Sequence, residues 1–155
     1  MTITLDDVLA GQFIENGHIN YGPDGSGWPM QHTTIPRLSC IDRIYKGPAL
    51  KKAGVSFERL WCVDGAQVAN LEAAIVALNV PPVFTHEERA VLEHAPADWV
   101  ELIGFRERVA TETGLRVGAA LTGLREKGAI ENELRTGEGR AVPCIRRALI
   151  EGASA

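Results

Sequence analysis

The sequence predicts a mainly α-helical fold with one small β-hairpin, an α+β protein in which helices dominate. Apolar residues recur at three- and four-residue spacing in several segments, which is the pattern of a helix with one buried face. Two short apolar runs, residues 129–134 and 141–145, flank a Gly-rich turn at residues 136–139, as expected for a β-hairpin. With 155 residues, of which 45% are apolar, the chain is long enough to bury a core.

Residues 1–80 are predicted to form an acidic region of helices and loops. Residues 35–45 carry apolar side chains at helical spacing, so a short amphipathic helix is predicted there. The same spacing predicts helices over residues 56–63 and 66–78. Residues 11–27 are rich in turn pairs that contain glycine, and this segment is predicted to be a loop.

Two adjacent prolines, Pro81 and Pro82, mark the predicted boundary of a second domain that covers residues 83–150. Thr85 is followed three residues later by Glu88, which is the spacing of a capping box. In such a box the two side chains accept hydrogen bonds from free backbone amides at the start of a helix. We therefore predict a helix that begins at this box.

Two more helices are predicted in the second domain. Asp98 is the predicted cap of the first, whose buried stripe includes Val100 and Val109. The second is predicted over residues 115–127 and directly follows Gly114, a residue suited to a sharp bend. The predicted hairpin comes next, so the expected order in this domain is three helices and then two strands.

The charge of the chain is unevenly distributed. The net charge is −4, and residues 1–97 contain 7 basic and 11 acidic residues, whereas residues 98–155 contain 9 of each. Several arginines of the second segment lie close together in sequence. A local basic face on a neutral domain can bind a phosphate backbone, so this distribution is compatible with DNA binding.

The sequence indicates neither a secretory nor a membrane-spanning segment. Asp6 and Asp7 occupy positions where a secretory signal has basic residues, and the longest uncharged apolar run, residues 73–78, is too short to cross a bilayer. We therefore expect a cytoplasmic protein without a membrane partner. The three cysteines are widely spaced and are expected to be apolar packing residues, not members of a disulfide framework.

The sequence contains no recognisable catalytic, cofactor-binding or metal-binding motif. The four histidines and three cysteines match no spacing of a zinc site. The N-terminal glycine-rich segment lacks the Gly-Lys-Ser/Thr ending of a phosphate loop. Since no nucleophile with a nearby base is recognisable either, we expect a protein that is not an enzyme and that uses neither a cofactor nor a metal.

The predicted elements of residues 85–147 follow the order helix, tight turn, helix and β-hairpin. A helix reaches a tight turn at residues 113–115, a second helix follows at once, and residues 127–128 end it before the hairpin. This order resembles the winged helix-turn-helix family of DNA-binding domains. The resemblance implies a C-terminal winged helix-turn-helix fold in which the third helix lies in the major groove and the wing contacts the neighbouring phosphates.

The resemblance also implies a set of residues that contact DNA. Arg116 and Thr122, on the third helix, are implied to reach base edges, while Arg135 and Arg140 flank the tip of the wing and are implied to contact phosphates. The full set of candidate DNA-binding residues is Arg116, Thr122, Arg125, Lys127, Arg135 and Arg140.

Two functions agree with this pattern. The first is a DNA-binding transcriptional regulator of bacterial or phage type, expected to act as a homodimer because a second copy doubles the contact with DNA. The alternative is a non-enzymatic protein-protein interaction module, an adaptor or inhibitor that uses the winged-helix fold without reading DNA. Gly118, Ala119 and Gly123 on the third helix favour the alternative, since small side chains suit close packing, and the acidic N-terminal region could bind a protein partner.

Overall fold

The computed structural model describes residues 1–149 and divides the chain into two compact units, Met1–Pro81 and Pro82–Ala155. The described residues form six α-helices, one short 3-10 helix (Gly22–Asp24) and nine β-strands, with 37% of residues helical and 32% in strands. The strands belong to two antiparallel sheets, one in each unit. The prediction of a mainly α-helical protein is therefore wrong, and the fold is α+β.

The N-terminal unit is built around a six-stranded antiparallel sheet. Its strands follow the order β1-β3-β4-β5-β6, and β2 also pairs with β3. The elements are α1 (Leu5–Ala10), β1 (Phe13–Glu15), β2 (Ile19–Asn20), β3 (Gly25–His32), β4 (Leu38–Tyr45), α2 (Gly47–Ala53), β5 (Phe57–Val63), β6 (Ala66–Gln67) and α3 (Leu71–Leu78).

Three predictions for the N-terminal unit are wrong. Residues 35–45 and 56–63, predicted as helices, contain the central strands β4 and β5, which pair from Leu38 with Val63 to Ile44 with Phe57. The predicted loop, residues 11–27, contains β1, β2 and the start of β3. Apolar residues at three-residue spacing fall on alternate faces of a strand, so both faces of β4 receive apolar side chains and the pattern resembles that of a helix.

The helices α1 and α3 supply residues to the core of the N-terminal unit, together with one face of its sheet. The helix predicted over residues 66–78 is shorter than expected, because α3 begins after its cap, Asn70, and residues 66–67 form β6. The buried apolar cluster consists of Val8, Ile35, Leu38, Val63, Ala74 and Leu78.

A buried histidine attaches α1 to the sheet. The His32 ring accepts a hydrogen bond at Nδ1 from the Ile35 amide at 3.0 Å, and its Nε2 lies 2.9 Å from the Val8 carbonyl oxygen. Because Nδ1 accepts, the ring proton belongs on Nε2, which donates to Val8. Both ring nitrogens are therefore satisfied in the neutral form, so His32 has a structural role.

A second buried polar side chain, Arg43, supports one end of the β3–β4 pair in the same sheet. Its guanidinium donates to the carbonyl oxygens of Ser26, Ile44 and Asp24 at 3.0 to 3.3 Å. The cation also lies over the rings of Tyr21 and Tyr45, with its central carbon 3.6 and 4.6 Å from their centroids. These contacts replace the solvation that Arg43 loses on burial.

The thiol of Cys40, on β4, is expected to be unreactive in the folded protein. Burial raises the pKa of Cys40 to about 11, so little reactive thiolate is present at pH 8. The Cys40 thiol ionises more easily in the unfolded state, because its folded-state pKa is the higher of the two. The free energy of unfolding therefore falls as pH rises from 9 towards 11. Peptide-resolved alkylation at pH 8 should label Cys40 slowly in buffer and rapidly in urea; equal rates would contradict this prediction.

The C-terminal unit combines three helices with a three-stranded antiparallel sheet. Its strands follow the order β7-β9-β8. The elements are α4 (His86–His94), β7 (Val100–Glu101), α5 (Leu102–Thr113), α6 (Val117–Glu126), β8 (Ile130–Gly137) and β9 (Arg140–Arg147). The core contains eleven buried residues: Val91, Ala95, Phe105, Val109, Val117, Ala120, Leu121, Leu124, Ala129, Ile130 and Ile145.

The predicted start of α4 is confirmed, whereas the predicted start of α5 is wrong. Thr85 caps α4 in a complete capping box with Glu88, as predicted. The prediction that Asp98 caps the next helix is wrong, because α5 begins at Leu102, after Glu101. Residues 100–101 pair with β9 instead, and this pairing displaces the start of the helix.

The turns on either side of α6 have a clear local cause. Gly114 ends α5 with φ +71° and donates its amide to the Ala110 carbonyl at 2.9 Å, a conformation that favours glycine. The β8–β9 hairpin turns at Glu138 and Gly139, which both have positive φ, so its turn contains two residues. The paired strands extend farther than predicted, from Ile130 to Arg147.

Candidate functional site

The helix α6 has one buried face and one exposed face. Ala119, Thr122 and Arg125 are exposed and recur at helical spacing, whereas Val117, Ala120, Leu121 and Leu124 are buried. The Thr122 hydroxyl donates to the Gly118 carbonyl at 3.2 Å. Its proton is therefore used within the helix, and the outward face of Thr122 presents a methyl group and oxygen lone pairs.

A groove of 160 Å³ runs beside this exposed face, between α5, α6 and β8. We refer to it as the α5–α6–β8 groove, and it is lined by Leu102, Arg106, Gly118, Leu121, Thr122, Arg125 and Asn132. The lining contains two guanidinium groups and no carboxylate. The groove therefore has a positive local charge, although the chain as a whole is acidic.

A second, more open groove continues the same surface towards the N-terminal end of α6. It is lined by Arg106, Arg116 and Glu107 together with small and apolar residues, and it shares Arg106 and Gly118 with the first groove. Because Arg106 lines both grooves, Arg116 and Arg125 border one connected surface. Glu107 is the only carboxylate in the two linings.

Seven arginines of the C-terminal unit make neither an ion pair nor a hydrogen bond with residues 1–149: Arg89, Arg106, Arg108, Arg116, Arg125, Arg135 and Arg140. Among them are the exposed side chains of Arg106, Arg116, Arg125 and Arg140. Arg146, in contrast, donates to Glu131 at 2.5 Å. Three of the unpaired cations border the grooves beside α6, and Arg140 begins β9 beside the hairpin turn.

Lys127 has a different environment from the other candidate DNA-binding residues. Its ammonium nitrogen lies 2.6 Å from Oε2 of Glu88, and the side chains of Lys127 and Glu88 are only 14% and 8% exposed. The same Glu88 oxygen accepts the Thr85 amide at 2.9 Å. The Lys127 cation thus joins the end of α6 to the start of α4, and we assign it a structural role.

Close packing between α4 and α6 also explains one of the small residues on the third helix. A Cβ atom at Gly123 would overlap the Glu88 carboxylate. Gly123 therefore allows α6 to approach α4 and does not belong to an open surface. Gly118 and Ala119, by comparison, line the open groove near Arg116.

Arg135 also lies apart from the grooves. Its guanidinium carbon lies 5.1 Å from the centroid of the Trp99 ring, and Arg146 covers the same ring at 4.6 Å. Alternation along β8 places Arg135 on the opposite face from Asn132, which lines the α5–α6–β8 groove. The two arginines predicted to flank the tip of the hairpin thus differ, since Arg140 is unpaired and Arg135 covers an aromatic ring.

Sequence reasoning missed two residues of the connected surface, Arg106 and Asn132. The spacing of each residue from a buried or groove-lining neighbour could have identified it from the sequence. Asn132 lies two residues after the buried Ile130 and therefore on the same face of β8. Arg106 lies four residues after Leu102, so both fall on one face of α5, and both line the same groove.

Neither a metal-ligand cluster nor a membrane-spanning helix occurs in the part of the chain that the structure describes. Residues 1–149 contain no group of three or more His, Cys, Asp or Glu side chains that could hold a metal ion. No helix within the same residues is long and apolar enough to cross a membrane. Comparison of the chain with known protein families, curated proteins and solved structures found no match.

Proposed function

We propose that the C-terminal unit is a winged helix-turn-helix domain that binds double-stranded DNA, within a cytoplasmic transcriptional regulator. The order of α5, the turn at Gly114, α6 and the β8–β9 hairpin supports this proposal. The observation that carries it is that Arg106, Arg116 and Arg125, which border the grooves beside α6, have unpaired guanidiniums, as does Arg140 beside the hairpin turn. Unpaired cations suit a polyanion, because each can bind a phosphate without first breaking an ion pair.

In this proposal α6 enters the major groove, and the arginines contact the phosphates on either side. The exposed face of α6 offers Ala119, Thr122 and Arg125, of which only Arg125 is a long hydrogen-bond donor. Most of the affinity is therefore expected from phosphate contacts, with few base-specific contacts per chain. A homodimer would double both kinds of contact, so we propose that two copies bind DNA together.

The decisive variant removes one unpaired arginine at the start of α6 and one beside the hairpin turn. Arg116→Ala/Arg140→Ala is expected to weaken binding to all duplex sequences. The slope of log K against log[salt] is expected to fall in magnitude by about 2. Fluorescence polarisation with a random duplex pool measures both quantities. The matched control is Arg89→Ala/Arg108→Ala, which removes the same charge from exposed side chains of the same unit that line neither groove. Equal behaviour of the two double variants would rule out a specific interface.

A protein-binding role for the same surface has one observation in its favour. Ile103 is 56% exposed and lines the more open groove, and Leu134 on the hairpin is 69% exposed. Exposed apolar side chains of this size are common in protein interfaces. Under this alternative, Ile103→Ser would abolish binding to a protein partner, whereas Arg116→Ala/Arg140→Ala would have little effect on it.

A further inference from the structure

We infer that the α5–α6–β8 groove is a built site for one phosphate group, held by the guanidiniums of Arg106 and Arg125 and the side-chain amide of Asn132. The inference rests on the proposed function where the phosphate comes from the DNA backbone. A free phosphate or phosphomonoester offers the same oxygen atoms, and titrations with inorganic phosphate and with duplex DNA separate these sources.

The charges that line the groove favour an anionic ligand. Arg106 and Arg125 line one concavity, and no carboxylate lines it with them. Two like charges in one small groove repel each other, and an anion between them converts repulsion into attraction. The guanidinium of Arg106 extends to α6, because its Nη2 would lie 3.4 Å from a Cβ atom placed on Gly118. Both cations therefore border the surface of α6.

The free hydrogen-bond donors of the groove match the oxygen atoms of a phosphate group. The Thr122 hydroxyl donates to Gly118 within the helix, which leaves the two guanidiniums and the Asn132 amide as side-chain donors in the lining. Within residues 1–149, none of these three groups has a hydrogen-bond partner. Guanidinium forks match phosphate oxygens in pairs, and a primary amide supplies a further donor.

The groove is large enough for one phosphate group. A volume of 160 Å³ is roughly five times the share of one water molecule in the liquid, which is about 30 Å³. A phosphate group, with roughly five heavy atoms, fits this space. The site is thus suited to a single phosphate of a longer backbone or to a small free phosphate.

The test replaces both arginines by lysine, which preserves the charge and removes the planar fork. Inorganic phosphate is titrated into the full chain at low salt while the Asn132 side-chain amide is followed by NMR. A saturable shift is expected in the native protein and not in Arg106→Lys/Arg125→Lys. Binding to a random duplex should fall about tenfold in the same variant, the size expected for the loss of a paired charge-assisted contact. The control, Arg89→Lys/Arg108→Lys, should change neither titration.

The outcomes separate the phosphate site from DNA binding. Loss of duplex affinity in the lysine variant identifies a backbone phosphate as the ligand. A saturable phosphate shift in a protein that binds no duplex supports the site with a free phosphate as its ligand, and the proposed DNA function then fails. The inference is overturned if the lysine variant matches the native protein in both titrations, or if native Asn132 and native duplex binding both fail to respond. Asn132→Asp, which adds a carboxylate at an exposed position, should also weaken phosphate binding.

Discussion

An alanine at position 25 is expected to destabilise the N-terminal unit by about 3 kcal/mol or more, because two unfavourable effects coincide. Gly25 has φ +113° and ψ −147°, a backbone conformation that residues with a Cβ atom rarely adopt. A Cβ atom there would also overlap the carbonyl oxygen of Ile44 on the neighbouring strand. Since this obstacle is backbone, it can move only if the pairing of β3 with β4 opens at that end.

A second glycine provides the matched control. Gly17 has the same φ, +113°, but a Cβ atom at that position would meet nothing within 4 Å. Gly17→Ala should therefore cost about 1–2 kcal/mol from backbone strain alone. Hydrogen exchange of the β3 and β4 amides, resolved by mass spectrometry, compares the two variants within the same unit. Equal loss of protection in both would show that the contact with Ile44 has no energetic consequence.

Replacing Lys127 by methionine is expected to destabilise the C-terminal unit by about 3–5 kcal/mol, since it leaves a buried carboxylate without its cation. Glu88 would retain the Thr85 amide as a partner and lose the ammonium group 2.6 Å away. The helices α4 and α6 meet at this pair, so protection of both should fall together. Urea unfolding followed by hydrogen exchange in the C-terminal unit measures the effect.

The double variant Glu88→Gln/Lys127→Met distinguishes an uncompensated charge from lost packing. It removes both charges and keeps an oxygen that can accept the Thr85 amide. Most of the lost stability should therefore return. A double variant as unstable as Lys127→Met would contradict the proposed cause and would point to packing of the Lys127 side chain against Phe84, whose ring centroid lies 5.9 Å from the ammonium nitrogen.

Local sequence patterns predicted the elements of the C-terminal unit better than those of the N-terminal unit. The capping box of Thr85 and Glu88 and the left-handed Gly114 depend on residues within a few positions of each other. The hairpin at Glu138 and Gly139 is equally local. The short strand β7 was missed, because its pairing partner, β9, lies more than forty residues later.

The N-terminal sheet could not be predicted, because its strands contain residues that normally indicate turns. The strand β3 includes Gly25, Gly27 and Pro29, and glycine and proline are depleted in strands. Tertiary contacts explain the two glycines. Gly25 makes room for the Ile44 carbonyl, and the Tyr21 ring packs against Gly27. Neither neighbour can be inferred from the local pattern.

The candidate site was only partly predictable, because the position of a cation on an element is local whereas its partners are distant in sequence. Arg116, Arg125 and Arg140 follow from their places on α6 and the hairpin, and the structure leaves their guanidiniums unpaired. The environment of Lys127 depends on Glu88, 39 residues away, and that of Arg135 depends on Trp99. Long-range partners therefore determine which cations remain available to a ligand, and the sequence does not reveal them.

The first measurement is the binding of the full chain to a random duplex pool across a salt series, followed by fluorescence polarisation. If Arg106, Arg116, Arg125 and Arg140 each bind a phosphate, binding should be micromolar or tighter at low salt, with a slope of about −3 to −4 per chain in log K against log[salt]. A slope near zero, or no binding at low salt, would contradict DNA binding by the C-terminal unit.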